Sequence, residues 1–367
     1  MIIVDILYNV PMMPPQLSII VPVLNEEETL PALFRTLAAQ EGVRLELVMS
    51  DGGSTDKTVE LAQRLGDEAL FPVIILEAER GRAVQMNSGA AAAHGDTLLF
   101  LHADSGFADP YALGAAHDLL NREIMNGGDY RVAGHFSLRF DRNGAPATLP
   151  YFFYESKARL HCRECGHGDQ GLMLKRSFFT EVGPFDGDLP MLAETRFAEE
   201  VRKPGRWFLF QAEIITSTRR FEIEGLYERQ VLNAIIMNFA AQGWEALFRE
   251  LPAIYADNSR AGRLNLAAAL GQIDGMIAAL PPGERLSLWY KTGAYVRSHA
   301  WQITFFLDTR RNFRRRLPPG AGENPLLASH DRYFDRLTDN PPGCLAAALL
   351  TWIWFRLTRL FTTDQPS

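Results

Sequence analysis

The chain has 367 residues, 47% of them hydrophobic, and a formal net charge of −7, a composition that excludes a disordered protein and leaves room for one large domain with an appendage, or for two. The charge is uneven: residues 1–224 carry 21 basic and 32 acidic side chains, net −11, whereas residues 225–367 carry 16 and 12, net +4. An acidic first part argues against nucleic acid as a partner, since that affinity rests on clustered Lys and Arg.

The opening stretch 1–16 is apolar but has no basic n-region and is broken by prolines, so no signal peptide is expected in it. Leu17–Val23 (LSIIVPV) is a short run of β-prone residues, and NEEETLPALFRTLAAQ after it has helical spacing with acids near its start, where the helix dipole favours them. The alternation continues: LELVMS precedes TDKTVELAQRLG, PVIILEA precedes GRAVQMNSGAAAAHG, and DTLLFLHAD closes the series. Such alternation predicts an α/β fold with a mostly parallel sheet of right-handed βαβ units. From Asp129 the rhythm loosens, with YRVAGHFSLRF strand-like and GLMLKRSFFTEVGPFD a strand running into a short helix. Beyond Gly225 the spacing is mainly helical, and the Pro-Pro-Gly triplets at 281, 318 and 341 are helix breakers whose unequal intervals exclude a repeat. The expected division is an extension at 1–16, an α/β domain at 17–224 and a helical region at 225–367.

Polar residues gather where these strands end, the edge at which open α/β sheets bind ligands. Pro22, Asn25 and Glu26 follow the first strand, and SDGGSTD follows the second. A glycine pair, Gly52 and Gly53, permits a sharp turn and close approach to a ligand, while Ser54, Thr55 and Asp56 suffice to cap the next helix, which leaves Asp51 to face the ligand. Asn25 and Glu26 serve equally well as helix caps. In RGRAVQMNSGA, Arg80, Arg82, Gln85 and Asn87 crowd a helix start and suit phosphate or sugar hydroxyls; a solvated helix face is the alternative. His102-Ala103-Asp104 closes the most hydrophobic strand, and its i, i+2 spacing puts imidazole and carboxylate on one face. A carboxylate there suits Mg²⁺ or Mn²⁺ shared with a substrate's phosphates; a capping Asp beside a packed His is the bland alternative. In GHGDQGLML, Asp169 and Gln170 sit in a glycine-flanked loop of substrate-facing character, and Glu194, ahead of Glu199 and Glu200, is the general-base candidate.

HCRECGH holds His161, Cys162, Cys165 and His167 within seven residues, but a zinc site usually draws on two separated ligand pairs, so a reduced loop in a reducing cytoplasm is the favoured reading. Near the C-terminus the uncharged run at 344–355 has only 12 residues, short of the roughly 20 that span a bilayer. It is expected to be a helix packed on the catalytic domain. The alternative, with Trp352 and Trp354 beside Arg356 and Arg359 and RRNFRRR upstream, is peripheral contact of 341–361 with an anionic membrane surface at its inner, cytoplasmic face.

Taken in order, IIVPVLNEEETL, SDGGSTDKT, RGRAVQMNSGA, LLFLHADS and GDQGLMLKRSFF resemble the glycosyltransferase family 2 proteins of GT-A fold over residues 17–218. Within that family the HAD and GDQ motifs resemble a branch associated with arsenosugar biosynthesis. The resemblance implies a nucleotide-sugar donor, usually UDP-linked, held by Pro22, Asn25, Glu26, Asp51, Gly53, Arg82, Asn87, His102 and Ala103, with Asp51 on the base. It implies Mg²⁺ or Mn²⁺ at Asp104, with His102 as second ligand, and transfer to an acceptor beside Gln170 by Glu194 and Asp169. Two positions depart from the family pattern: His102 stands where the first acid of the DxD motif is usual, and Ala193-Glu194 stands where an acid pair is usual. RKPGRW has Arg206-Trp207 without the Gln of the processive QxxRW motif, which implies single addition, and attack on the anomeric carbon from the face opposite the leaving diphosphate implies inversion. The rival readings are a sugar-nucleotide nucleotidyltransferase, which lacks its Gly-rich basic loop here, a dehydrogenase, which lacks GxGxxG, and a silent nucleotide-sugar-binding module, which Ala193 favours.

Overall fold

The computed structural model describes residues 13–142, 144–162, 165, 168–189, 191–259 and 262–362. Two compact units emerge: Met1–Phe140 with Ala158–Thr216, and Asp141–Lys157 with Ser217–Ser367.

The first unit is built on one mixed sheet. Its strands are β1 (Leu17–Val23), β2 (Leu45–Asp51), β3 (Val73–Glu77), β4 (Thr97–Phe100), β5 (Ser105–Gly106), β6 (Val132–Asp141), β7 (Leu172–Lys175) and β8 (Arg206–Ser217), in spatial order β3-β2-β1-β4-β7-β6-β8-β5. β1 pairs in parallel with β2 and β4, and β2 with β3, whereas β7 runs antiparallel to β4. This is the mixed, mostly parallel sheet flanked by helices, with a helical C-terminal extension, that the alternating pattern predicts. β1 and β2 are buried along almost their whole length, which is why they read as continuous apolar runs and not as alternating ones. The strand order turns back at β1, so β2 and β4 flank it and their carboxyl ends open one crevice. Phe100 is opposite Leu172 in the antiparallel pair, so the segment entering β7 arrives at that same edge.

The helices of this unit are α1 (Leu30–Ala38), α2 (Thr58–Glu68), α3 (Arg82–Ala92), α4 (Ala112–Gly127), then α6 (Arg176–Val182) and α7 (Ala193–Arg202), with α5 (Leu149–Lys157) lying between them in the chain but in the second unit. Ala193, Phe197, Ala198 and Val201 are the buried face of α7. Phe197 stacks within 4.3 Å of Phe185, which meets Phe100 of β4 edge-on at 4.8 Å. Each such aromatic pair is worth about 0.5–1.5 kcal/mol beyond its buried area. The start of α7 is thereby pinned beside the end of β4.

The second unit is helical: α5, α8 (Arg219–Glu224), α9 (Leu226–Ala241), α10 (Glu245–Ser259), α11 (Leu266–Ala279), α12 (Pro282–Ser298), α13 (Trp301–Arg314), α14 (Pro325–Ser329), α15 (Asp335–Thr338) and α16 (Pro341–Phe361). α5 is recruited from the middle of the chain by its aromatic residues, Phe152 lying 5.2 Å from Phe313 and Phe153 5.5 Å from Phe305 of α13. α16 corrects one expectation. It runs 21 residues, so it has the length and composition to cross a membrane. It packs along one side on α12, where Ala348 and Phe355 are its buried residues, and is otherwise mostly uncovered. Counting uncharged residues underestimates such a helix, because arginines near an end extend their charge away from an apolar stretch without stopping it.

Candidate active site

The turn after β2 is organised by Asp51. Its carboxylate accepts hydrogen bonds from the backbone N–H groups of Gly53 and Ser54, both at 3.0 Å, and from the Ser54 hydroxyl at 2.5 Å. Gly53 takes φ +86°, the left-handed conformation that explains a glycine there. Asn25, just past β1, accepts from the Thr55 N–H at 2.8 Å, and the Glu26 N–H donates to the Thr58 hydroxyl at 2.7 Å. The two loops are thus knitted together, with Glu26 also accepting from the Thr29 hydroxyl at the entrance to α1. Pro22 sits beside Ser50 in the β1–β2 register. Gln85, buried on α3, donates to the carbonyls of Val23 and Ser50, both at 2.8 Å, and so ties the same strand ends from beneath.

At the neighbouring end of β4 the structure assembles a charged cluster from four chain segments. His102 Nε2 is 2.7 Å from Glu194 Oε1, and its Nδ1 is 3.8 Å from Asp169 Oδ1. Arg82 Nη1 lies 3.6 Å from Glu194 Oε2 and 3.5 Å from His102 Nε2. Burial by itself lowers the His102 pKa and Arg82 opposes its charge as well, but Glu194 outweighs both and raises it above 6.5. Burial by itself raises the Glu194 carboxyl, yet the charges and hydrogen bonds of His102 and Arg82 prevail and bring it down from 4.5 to about 2. Desolvation works against the Arg82 charge too, and is overcome by Glu194, Asp169 and Asp104. Glu194 occupies the first turn of α7, where the helix dipole also favours its charge. The preceding Leu192 takes φ +66°, a costly conformation for a bulky side chain.

Several side chains sit differently from their expected placing. His102 Nε2 is engaged by Glu194, which raises its pKa above 6.5 and so opposes metal ligation; among the described residues there is no cluster of three metal-ligating side chains. Asp104 is half-buried, and Ala103 between them is buried. Asn87 spends both ends of its amide on the backbone of Phe185, at 2.8 and 2.9 Å, and braces the loop ahead of α7. Gln170 is buried and donates to the carbonyls of Phe136 and Ala158, so it frames the GDQ loop from within while Asp169 faces the cluster. Cys162 and Cys165 are joined as a disulfide, not reduced; their Cα atoms are 5.3 Å apart, a spacing that a CxxC turn supplies readily. His167 lies outside the described residues.

Two contributors were missed in the sequence. Trp207 joins Phe100, Leu172 and Phe185 in lining a small cavity behind Glu194, and it is fixed by donating to His135 at 2.7 Å with the Arg202 guanidinium 4.0 Å from its ring. Gly168 lies so close that a Cβ there would be 2.9 Å from the Glu194 carboxyl carbon. Gly168→Ala is therefore expected to push the carboxylate aside and loosen its contacts with His102 and Arg82 with an unchanged denaturation midpoint; the His102 pKa followed by NMR, expected to fall, beside urea unfolding checks it.

Residues 18–178 match the family described as Glycosyl transferase family 2. A PGL/p-HBAD biosynthesis glycosyltransferase of Mycobacterium bovis is 32% identical over 197 residues, 50% of this chain and 68% of its own length. An undecaprenyl-phosphate 4-deoxy-4-formamido-L-arabinose transferase of Pseudomonas syringae is 37% identical over 92 residues, 24% of this chain and 27% of its own. Among solved structures, the mannosyltransferase PcManGT of Pyrobaculum calidifontis, in complex with GDP-Man and Mn²⁺, is 17% identical with a TM-score of 0.48, covering 94% of this chain and 88% of that one. On the matched segment and the extent of the mycobacterial relative that it spans, the chain belongs to glycosyl transferase family 2.

Proposed function

We propose that the protein is an inverting, single-addition glycosyltransferase that moves a sugar from a nucleoside-diphosphate donor, UDP-linked, to an acceptor hydroxyl. One observation carries this reading: Arg82, His102, Asp169 and Glu194, from four separate chain segments, meet at the carboxyl edge of the sheet beside the turn held by Asp51. The relatives matched include glycosyltransferases by name, and the branch marked by HAD and GDQ is proposed on those motifs alone.

In this proposal the Asp51 turn receives the base, and the diphosphate lies against Arg82 and His102. Glu194 takes the proton of the acceptor hydroxyl as its oxygen attacks the anomeric carbon from the face opposite the leaving diphosphate; the C–O bond to the diphosphate breaks and its electrons leave with the phosphate. A carboxylate held at about 2 is a weak base. A bound diphosphate would draw the Arg82 and His102 charges to itself and let burial restore the basicity of Glu194, so donor binding precedes proton transfer. Asp104 is the carboxylate that would hold Mg²⁺ or Mn²⁺ beside the phosphates, an ion that would offset charge on the leaving group. A cytoplasmic location, with peripheral contact of 341–361 at the inner face of a membrane, completes the proposal.

Calorimetry against a panel of nucleoside diphosphates, with and without metal, tests the donor; the absence of binding to every member sinks the reading. Asp51→Ala removes the acceptor of two backbone N–H groups and a hydroxyl. Hydrogen bonds to charged groups are worth roughly 1.5–3 kcal/mol, so UDP affinity in the same calorimeter is expected to fall roughly 10- to 100-fold.

A further inference from the structure

The second unit carries apolar side chains in solvent on three helical segments. On α16, Leu345, Leu349, Ile353, Leu357 and Leu360 recur at helical spacing, all exposed, Leu360 to 75%. Trp352, Trp354 and Phe361 flank them, also exposed. On α13, Ile303, Phe306 and Leu307 form an exposed stripe that runs on into exposed Arg310 and Arg314. Leu326 of α14, Tyr333 and Phe334 of the helical turn at His330–Phe334, and Leu337 of α15 repeat the pattern. Single exposed apolar residues need no explanation, but stripes of helical length mark a surface that something apolar covers.

The accompanying charges select the covering. Five of the seven residues at 310–316 are arginine, and the region from 225 onward is net positive although the rest of the chain is acidic. Basic, tryptophan-bearing helices with one aliphatic face are matched by the headgroup and acyl boundary of an anionic bilayer. α16 is long enough to cross such a bilayer, but it is fastened lengthwise to helices that cannot follow it. A Cβ on Gly293 of α12 would lie 2.2 Å from the Cys344 carbonyl oxygen and 2.6 Å from Ala348 Cβ, and Trp289 of α12 packs 5.8 Å from Phe355. α12 itself bears Arg285, Lys291 and Arg297, and Arg356 and Arg359 of α16 both pair with Asp274 of α11. Carrying those charges through hydrocarbon costs several kcal/mol apiece.

We propose that the second unit docks on an anionic phospholipid bilayer with α16 lying in the plane of the interface, its leucine face inward, and not across the membrane. This rests on the membrane contact proposed above and adds its lipid charge and geometry. The test uses the full chain with Cys344→Ala as background and vesicles of phosphatidylcholine with or without 30% (about one lipid in three) phosphatidylglycerol. Flotation is expected with the anionic vesicles and to fall at least fivefold with phosphatidylcholine alone, and Leu349→Glu/Leu357→Glu is expected to lose it while keeping the wild-type circular dichroism. Single cysteines placed by Asp339→Cys and Thr362→Cys, at either end of α16, should both react with an impermeant maleimide added outside the vesicles. No flotation overturns the membrane contact itself; flotation with one of the two cysteines protected overturns only the in-plane geometry. Donor binding by calorimetry is independent of both outcomes, so a failed glycosyltransferase reading is told apart from a failed docking surface.

Discussion

Glu194→Gln is expected to lower glycosyl transfer by 10²- to 10⁴-fold, the usual range for removing a positioned general base. The amide has the shape of the carboxyl but cannot accept the acceptor's proton. The substitution also frees His102 and Arg82, which Glu194 engages in the resting protein at 2.7 and 3.6 Å. Arg82 without this counter-ion attracts a diphosphate more strongly, and the diphosphate takes over from Glu194 in favouring protonated His102, so UDP affinity should hold or tighten while kcat collapses. That split between binding and turnover separates a base from a structural residue, whose loss would weaken both. Gln in place of Glu also leaves the buried face of α7, Phe197 and Val201, untouched. Single-turnover kinetics and calorimetry on the same preparation provide the measurement. A kcat within threefold of wild type would remove Glu194 from the chemistry and return the site to a binding role.

Much of this arrangement is legible in the chain because it is local. β1, β2 and β4 announce themselves as apolar runs buried on both faces, and each ends at residues that the structure puts at one edge: Asn25, Asp51 and His102. The partner of His102 is not legible. Glu194 is 92 residues away, and only the packing of α7 through Phe185 and Phe197 onto β4 makes the two meet. The same limit explains Asn87 and Gln170, whose polarity suggests a ligand while their bonds go to the backbone of Phe185, Phe136 and Ala158. A buried polar group must be satisfied, and sequence alone does not say whether substrate or main chain satisfies it. α5 shows the long-range problem at domain scale, since nothing between β6 and β7 reveals that Phe152 and Phe153 pack on α13.

The charge balance of the cluster makes the strongest demand on pH behaviour. The resting cluster pairs a His102 raised above 6.5 with a Glu194 lowered to about 2. A raised histidine contributes stability that is complete below 6.5 and is lost as pH climbs through its folded pKa. A lowered carboxyl contributes stability that is complete above 4.5 and is lost as pH falls toward 2. Their pairing is therefore strongest between pH 4.5 and 6.5, and activity follows the opposite logic, because the pairing suppresses the base. In wild type, kcat/KM, which reports the free enzyme, should rise as His102 loses its proton above pH 6.5. His102→Gln keeps an amide donor for Glu194 but removes the charge that opposes the effect of burial most strongly. Its profile should lack the rise above neutrality, and its acid limb should move up from about 2, because Arg82 is then left to oppose burial without His102. Because the two groups titrate as a pair, the comparison lies between whole profiles and not between single fitted values. Superimposable curves for wild type and variant from pH 4 to 9 would show that the His102 charge has no hold on the base, and with it the claim that the donor's phosphates release Glu194 would fall.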